Sequence, residues 1–286
     1  MRKTLFCIAV LVSCTILGQA QNSNNLDFSG GIGFQGSSPK ELSLAEYREA
    51  FPQSELLKQD YSGYYDQPYY YNYSGGLLLN FLWGVKIGEG ANNEQRLRIG
   101  ISYSGATTYS NNFEKTVTTP YDTLISTVTG NQTFVDSVYQ DYLNINLSQD
   151  QIGLDVSYII KSNPNNRLVF YSGGGAVLGL AVNSRANIYQ NSNSYFSNDN
   201  GDYYPYAERY SDNGKSEVHN LASTFWAQLY VPIGLDFRLS KKNAFWQRMH
   251  IYSELRPNMQ LAMVEGFDPT INLSFGWAVF GTRFEF

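Results

Sequence analysis

Apolar and polar residues alternate along several long stretches of this chain, and the clearest stretch spans residues 221–240. One parity there is apolar: Phe225, Ala227, Leu229, Val231, Ile233, Leu235, Phe237 and Leu239. The other parity holds Gln228, Tyr230, Pro232, Gly234, Asp236 and Arg238. Successive side chains of a strand point to opposite faces, so this pattern predicts a strand with one apolar face. The stretch is longer than the usual strand of a soluble sandwich.

The same alternation recurs elsewhere and gives about eight segments, each near the ten residues that a membrane strand needs. In the last segment the apolar parity switches near Val279 and Phe280, which predicts a β-bulge. Besides the stretch 221–240, the segments begin near Leu26, Leu77, Leu97, Ile152, Leu168 and Ile251, and the last one begins near Thr270.

The connections between these segments alternate in length. The short ones are 88–93, 162–166 and 241–247, and the long ones are 37–72, 107–143 and 184–220. Outer-membrane barrels have tight periplasmic turns and extended external loops. We therefore predict an all-β fold, an antiparallel transmembrane β-barrel of about eight strands with three long external loops. A secreted soluble β-sandwich that serves as a binding module is the competing interpretation.

The first residues have the pattern of a secretory signal, because basic residues precede the apolar stretch 4–17 and a small-residue site ends at Ala20. We expect a signal peptide over residues 1–20 and a barrel domain over residues 21–286. Both cysteines lie in the signal, so the mature chain would carry no thiol. An alternative interpretation makes Cys14 the lipidated first residue of a lipoprotein.

The chain ends in Gly281-Thr282-Arg283-Phe284-Glu285-Phe286. A glycine followed by two spaced aromatic residues at the end of the chain resembles the terminal insertion signal of bacterial outer-membrane barrels. Together with the signal junction, the mature chain resembles the small outer-membrane β-barrel proteins, including the PorT-like group. The resemblance implies a location in the cell outer membrane and the barrel assembly machinery as a partner, but it transfers no activity.

The predicted inward positions are rich in opposite charges, and buried charges require partners. The bases are Lys86, Arg96, Arg98, Arg238, Arg256 and Arg283, and the acids are Asp27, Asp155, Asp236, Glu254 and Glu285. We interpret this set as a polar plug, because an eight-stranded barrel has room only for its own side chains. A conduction path or proton relay is the alternative. His250 is expected to face inward near the periplasmic rim.

His219 is expected at the external rim near Glu217 and Ser223. A Ser/His/acid group at that place would suit an outer-membrane lipid-modifying barrel enzyme. No further motif supports catalysis. We therefore expect no enzyme, and we assign no catalytic, cofactor-binding or metal-binding residue and no cofactor.

The external connections are rich in tyrosine and acid. The tyrosines are Tyr61, Tyr64, Tyr65, Tyr69, Tyr70, Tyr71 and Tyr73 in the first and Tyr189, Tyr195, Tyr203, Tyr204, Tyr206 and Tyr210 in the third. They suit a protein or glycan partner; an aromatic girdle with strands extended above the membrane is the simpler interpretation.

Over 37–72, 107–143 and 184–220 there are 7 basic and 15 acidic residues. Divalent cations can bridge such an acidic surface to the phosphates of lipopolysaccharide. A surface whose acidic groups are solvated by water is the simpler interpretation.

Residues 198–202 resemble only part of a calcium loop. After signal removal the balance is 18 basic against 25 acidic residues, about −7, which disfavours nucleic acid as a partner. The sequence thus predicts an integral outer-membrane barrel, in contact with outer-membrane lipid and lipopolysaccharide, with a structural, adhesive, secretion or envelope-accessory role.

Overall fold

The computed structural model describes residues 26–37, 40–66, 74–198, 210–211 and 214–286. The expected signal peptide, its cleavage site and both cysteines lie outside these residues.

Strands dominate the fold. They are β1 (Leu26–Ser37), β2 (Tyr65–Asp66), β3 (Ser74–Glu89), β4 (Asn93–Ile125), β5 (Gln132–Ser162), β6 (Leu168–Asn198), β7 (Tyr210–Ser211), β8 (Lys215–Asn220), β9 (Thr224–Tyr230), β10 (Ile233–Arg238), β11 (Met249–Ala262) and β12 (Thr270–Glu285). The helices are α1 (Leu44–Ala50) and α2 (Ala244–Gln247). Within the described residues, neither helix has the length and apolar character needed to cross a bilayer.

The strands close into a ring because β12 pairs antiparallel with β1, which pairs on its other side with β3. From β3 the order continues through β4, β5 and β6 to β9 and β10, which share one place in the wall, and then through β11 to β12. The wall therefore has eight positions with antiparallel neighbours. This confirms the predicted barrel.

The sixth predicted segment is interrupted where β9 ends at Tyr230 and β10 begins at Ile233. Pro232 lies in the gap and has no backbone N–H to donate to a neighbouring strand. The backbone N–H of Val231 still donates to the carbonyl oxygen of Pro257, with the two atoms 3.0 Å apart. The alternation continues across the gap, because Val231 is exposed and Pro232 is buried.

The predicted bulge in the last strand is present. Ile32 pairs with Phe280 and Phe34 pairs with Trp277, so β12 has one additional residue between these pairs. Gly33 lies opposite the bulge, where a Cβ atom would stand 1.7 Å from the carbonyl oxygen of Trp277. Only glycine fits at this point of the seam that closes the barrel.

Large apolar side chains cover the outside of the ring. Phe81, Leu178 and Leu229 are 50%, 55% and 58% exposed, whereas the opposite faces of the same strands are buried. A continuous apolar belt of this kind is unfavourable in water and favourable against hydrocarbon.

The three long external connections are present, and two of them are built largely of strand. β4 and β5 stay paired from Asn93↔Ser162 to Ile125↔Gln132, and β6 follows β5 as far as Asn198. This agrees with the interpretation that strands extend above the membrane. The first connection instead contains α1 and β2.

Candidate functional site

One end of the barrel interior, at the start of β1 and the end of β12, holds a cluster of buried charges. Arg96 pairs with Asp27 and Glu94, and its Nη2 lies 3.3 Å from Oε1 of Glu285. The Nζ atom of Lys161 lies 3.6 Å from Oε1 of Glu94 and 3.8 Å from Oε1 of Glu285. The predicted pairing of interior charges is confirmed here, and Glu94 and Lys161 join it although they were not among the predicted pairs.

His250 faces inward at the same end, as expected. Its Nδ1 lies 2.6 Å from Oδ1 of Asp236, and its Nε2 lies 3.5 Å from Oε2 of Glu285. Arg283 pairs with the same Asp236. The two carboxylates therefore join side chains of β10, β11 and β12 at this end of the interior.

A second charged cluster lies further along the interior. Glu254 accepts hydrogen bonds from Nη1 of Arg98 at 2.7 Å and from Nε of Arg256 at 2.5 Å. Asp155 accepts hydrogen bonds from Nη1 of Arg256 at 2.8 Å and from the hydroxyl of Tyr230 at 2.5 Å. Since all five side chains are buried, these contacts fix the packing of the inner face, as a polar plug requires.

Two of the predicted interior bases lie at the rim instead. Lys86 is partly exposed and pairs with Glu89 of its own strand. Arg238 donates from Nη2 to the carbonyl oxygen of Pro164 at 2.9 Å. Both are close to strand ends, where water can solvate part of the charge, so they do not require a buried acid.

Above the lipid-facing belt, residues 107–125 of β4, 132–148 of β5 and 185–198 of β6 form a three-stranded extension, which we call the blade. β8 pairs with the lower part of β6, and β7 pairs with Asn193 and Ser194. The blade is thus a direct continuation of the barrel wall.

Residues 40–66, which contain α1 and β2, form a second external unit that we call the cap. Helix α1 begins after Ser43, whose hydroxyl accepts a hydrogen bond from the backbone N–H of Glu46, while the Glu46 carboxylate accepts one from the backbone of Ser43. This capping box fixes the start of the helix. Tyr47 and Phe51 then point to the same side and are at most 2% exposed.

The cap packs its apolar side chains onto one face of the blade. The blade residues in this core are Tyr109, Phe113, Leu143, Ile145, Leu147, Ala186 and Ile188. Val264 and Phe267, from the connection between β11 and β12, complete it. Because these partners come from different sides of the ring, the cap lies across the external mouth of the barrel. The molecule therefore has a hydrophobic core outside the membrane.

Polar anchors hold the cap in place. The carboxylate of Glu217, on β8, accepts hydrogen bonds from the hydroxyl of Ser54 at 2.6 Å and from the backbone N–H of Leu56 at 2.9 Å. Burial acts to raise the pKa of Glu217, but the hydrogen bonds from Ser54, Leu56 and His219 outweigh it and hold the pKa below its ordinary value. Asn111 of β4 similarly accepts hydrogen bonds from the hydroxyl of Tyr47 at 2.7 Å and from the cap backbone.

His219 lies beside Glu217 as expected, with 3.2 Å between Nε2 and Oε2, and it stacks on Phe51 with ring centroids 5.4 Å apart. The serine in contact with Glu217 is Ser54, and its hydroxyl donates to the carboxylate. In a hydrolytic triad the imidazole stands between the serine and the acid. Here the acid stands between the other two groups. Ser223, the serine proposed from the sequence, is exposed beyond β8.

The external tyrosines divide into two groups. Tyr61 and Tyr64 pack edge to face at 4.8 Å, and the Tyr64 hydroxyl donates to Asp141 at 2.5 Å. Burial raises the pKa of Tyr61 to about 12. These two rings serve the cap and are not free for a partner, whereas Tyr65 and Tyr189 are exposed.

The remaining tyrosines and the calcium-like segment are described only in part. Tyr69, Tyr70, Tyr71, Tyr73, Tyr203, Tyr204 and Tyr206 lie outside the described residues, as does 199–202. Within the described ranges, no group of three or more His, Cys, Asp or Glu side chains is placed to hold a metal ion.

A cleft of about 190 Å³ opens where the cap meets the blade. It is lined by Gln59, Tyr139, Asp141, Gln190, Ser192 and Lys215 among others. An exposed aromatic ring with amide and carboxylate groups is suited to sugar hydroxyls. The sequence did not single out Tyr139, because it lies in the second external connection, away from the tyrosine clusters.

No protein-family model matches the chain, and no curated protein matches it in sequence. Among solved structures, it is similar to Neisserial surface protein A at 12% identity, with 92% of this chain and 98% of that chain covered and a TM-score of 0.35. It is also similar to Ail, the attachment invasion locus protein of Yersinia pestis, solved with the heparin analogue sucrose octasulfate, at 11% identity, 91% and 99% coverage and a TM-score of 0.23.

The ring of antiparallel strands is closed, its outer surface is an apolar belt, and its interior is filled with paired charges. These are the requirements for a strand-built protein in lipid, where every backbone group must be satisfied within the wall. The chain is an integral β-barrel protein of the cell outer membrane.

Proposed function

We propose that the protein is a non-enzymatic adhesin, in which the barrel anchors the blade and the cap supports it above the cell surface. The observation that carries this proposal is the hydrophobic core between cap and blade. Leu143 and Ile145 are fully buried there, outside the membrane belt. A contact surface held rigid in this way loses little conformational freedom on binding.

The interior supports the same proposal. Its charges are paired across the barrel, so the wall is suited to hold an external structure in a fixed orientation. A barrel of this size leaves room for its own side chains rather than for a path through the membrane.

The experiment is a shortened blade displayed on a non-adherent bacterium. Residues 119–137 are replaced by Asn-Gly, which joins the paired residues Thr118 and Val138 by a two-residue hairpin turn. We expect cell–cell aggregation to fall to the level of the empty strain and surface attachment to fall in part, because Tyr139 and Asp141 of the blade remain. The control is an unchanged amount of heat-modifiable barrel in the outer membrane. Attachment and aggregation at the full-length level would contradict the adhesive role.

A glycan is the partner that the cleft favours. Tyr139→Ala and Asp141→Asn should each weaken retention on immobilised glycans, and Tyr65→Ala, an exposed tyrosine that does not line the cleft, serves as control. If all three variants were retained equally on the glycans, the cleft would not be the glycan-binding site.

Two other functions, a lipid-modifying enzyme and a secretion-accessory protein, predict different experimental results. A lipid-modifying enzyme requires that His219→Ala change the lipid A acyl profile, whereas we expect no change by mass spectrometry. A secretion-accessory role requires that loss of the protein reduce secretion whether or not the blade is shortened. Contact with lipopolysaccharide and assembly by the barrel machinery are common to all of these roles.

A further inference from the structure

The blade ends in a hairpin turn whose apolar side chains are exposed. Val128 is 90% exposed and Ile125 is 61% exposed, and Leu124 and Phe134 are exposed beside them. The pairing of β5 with β6 stops at Val135, so the turn projects beyond the third strand of the blade. Exposed apolar side chains that gather at one point of a surface mark an interaction site.

The turn carries no charge, and the charged residues nearest to it in the sequence flank it at a distance. The stretch 123–135 contains no Asp, Glu, Lys or Arg, and Asp122 and Asp136 stand at its two ends. Ile125 and Gln132 form the last pair of the hairpin. Phe134 lies about 7 Å along its strand from that pair, whereas Asp122 lies about 10 Å from it. The apolar side chains are therefore nearer to the end of the blade than these two charges.

The backbone of the turn finds its hydrogen-bond partners within the turn. The hydroxyl of Ser126 accepts hydrogen bonds from the backbone N–H groups of Val128 at 3.3 Å and Thr129 at 3.1 Å. The carbonyl oxygen of Ser126 accepts one from the N–H of Gly130 at 2.8 Å, and the Thr129 hydroxyl accepts one from the N–H of Asn131 at 3.3 Å. Free backbone N–H groups would resist transfer from water into a lipid interface. These groups can leave water without losing a partner.

The turn stands far from the bilayer that holds the barrel. Position 107, at the base of the blade, and Ile125 are eighteen residues apart on β4, which at about 3.3 Å per residue is up to about 60 Å. β4 stays paired with β5 over this length, so the blade does not fold back on its own membrane. A lipid surface in contact with the turn therefore belongs to a facing cell.

The charge around the turn selects the kind of lipid. The two flanking residues are both acids, and the external connections carry 15 acidic residues against 7 basic ones. An anionic surface repels such a face, whereas a zwitterionic phospholipid surface does not.

We propose that the tip of the blade inserts Ile125, Val128 and Phe134 into the headgroup region of a zwitterionic phospholipid surface on a facing cell, an inference that deepens the proposed adhesive function. Segments that lie in a membrane interface bury their apolar side chains about 5 to 10 Å deep. This depth takes in the apolar side chains of the turn and leaves Asp122 and Asp136 in water.

Vesicle capture tests the insertion with the full-length protein held in nanodiscs. The natural protein should float with protein-free phosphatidylcholine vesicles in a density gradient. Val128→Asp should lower the bound fraction severalfold, because a carboxylate would have to enter the interface, whereas Val128→Leu should preserve it. Val117→Asp is the matched control and should change nothing, since Val117 is an exposed valine of the same strand about 26 Å below Ile125. Equal capture of Val128→Asp and the natural protein would overturn the insertion.

The choice of lipid is tested in the same assay. Vesicles that contain phosphatidylglycerol should capture less of the natural protein at low salt than vesicles of phosphatidylcholine alone. Asp122→Asn should reduce this difference. Stronger capture by the anionic vesicles would overturn the assignment of a zwitterionic surface.

A fluorescent probe at the tip provides a second readout. Val128→Cys and Val117→Cys each carry an environment-sensitive dye, and only the target vesicles contain lipids with a quencher on the acyl chain. The emission of the dye at position 128 should shift to the blue and be quenched, whereas the dye at position 117 should show neither change. An equal response at both positions would overturn the contact through the tip.

Failure of the insertion and failure of the adhesive role give different results. If the natural protein attaches to cells through the blade but captures no phosphatidylcholine vesicles, the tip binds a protein or a glycan and the insertion is overturned. If the shortened blade attaches as well as the full-length protein, the adhesive role itself is overturned.

Discussion

The hydroxyl of Ser54 donates to the carboxylate of Glu217 across 2.6 Å, and this contact joins the cap to strand β8. The same carboxylate accepts the backbone N–H of Leu56 and lies beside His219. One acidic side chain therefore holds the segment that follows α1 on the blade.

Glu217→Ala should loosen the cap by about 1 to 3 kcal/mol, because it leaves the donors of Ser54 and Leu56 without an acceptor. Hydrogen exchange of the amides in residues 44–57 should become faster, while those of β11 should not change. Glu55→Ala is the control, since Glu55 is exposed and its ion pair is with exposed Lys58. Equal exchange in the two variants would contradict the anchoring role.

Cap docking should weaken at low pH. The folded-state pKa of Glu217 is held below its ordinary value, so this carboxylate stabilises the docked cap above that value and the stabilisation is lost as the pH falls through the lowered pKa. Limited proteolysis of the cap between pH 6 and pH 3 measures this. Glu217→Gln should flatten the dependence, and an unchanged profile in that variant would assign it to other groups.

Glu254→Gln should destabilise the barrel by about 3 to 5 kcal/mol, because Arg98 and Arg256 lose the charge that compensates theirs in a buried site. Urea unfolding in detergent micelles measures the loss. Replacing the pair with Arg98→Met and Glu254→Leu should recover part of it, because Arg98 no longer needs a partner and Arg256 keeps Asp155. A double variant as unstable as the single one would mean that packing, not charge, sets the cost.

Arginine at Val231 or Leu235 should cost about 2 to 4 kcal/mol if these positions lie near the bilayer midplane. Val231 and Leu235 are 47% and 50% exposed on the apolar belt, whereas Tyr230 and Asp236 are buried inside. A lipid-soluble maleimide should therefore label cysteines at the first two positions and not at the last two. Equal labelling at both parities would contradict the membrane position of this wall segment.

Gly33→Ala should impair closure of the barrel between β1 and β12, because the new Cβ would overlap the carbonyl of Trp277 in the bulge. The fraction that migrates as folded barrel in unheated gels should fall. Gly30→Ala is the matched control on the same strand, since its Cβ would come no closer than 3.4 Å to the Phe81 ring. Normal folding of both variants would show that the seam can shift.

Alternation predicted the wall because one face of each strand meets hydrocarbon and must be apolar. It also predicted the bulge near Phe280 and the inward position of His250, since both follow from parity alone. The pairing of interior charges followed from the requirement that buried charges find partners. Which partners meet depends on strand order, and for this reason Lys161 and Glu94 were not predicted.

The blade and the cap left weaker signals in the sequence. Residues 116–119 of β4 are threonine and valine, and no hydrocarbon imposes an apolar face on them. The buried residues of the cap, such as Tyr47 and Leu57, pack against strands from distant parts of the chain. No local pattern contains that information.

The pairing of β4 with β5 runs from barrel to tip, with bulges between Thr107 and Tyr109 and between Pro120 and Asp122, and it determines how the molecule responds to mechanical load. In an antiparallel ladder the hydrogen bonds lie perpendicular to the strands, so a pull along the strands loads many bonds together in shear instead of opening them one after another. A force on the tip passes through this ladder into the wall, where β4 and β5 are already clamped by their neighbours. Because the turn at the tip joins β4 to β5, both strands take the load together, and the shear falls on their ladders with β3 and β6.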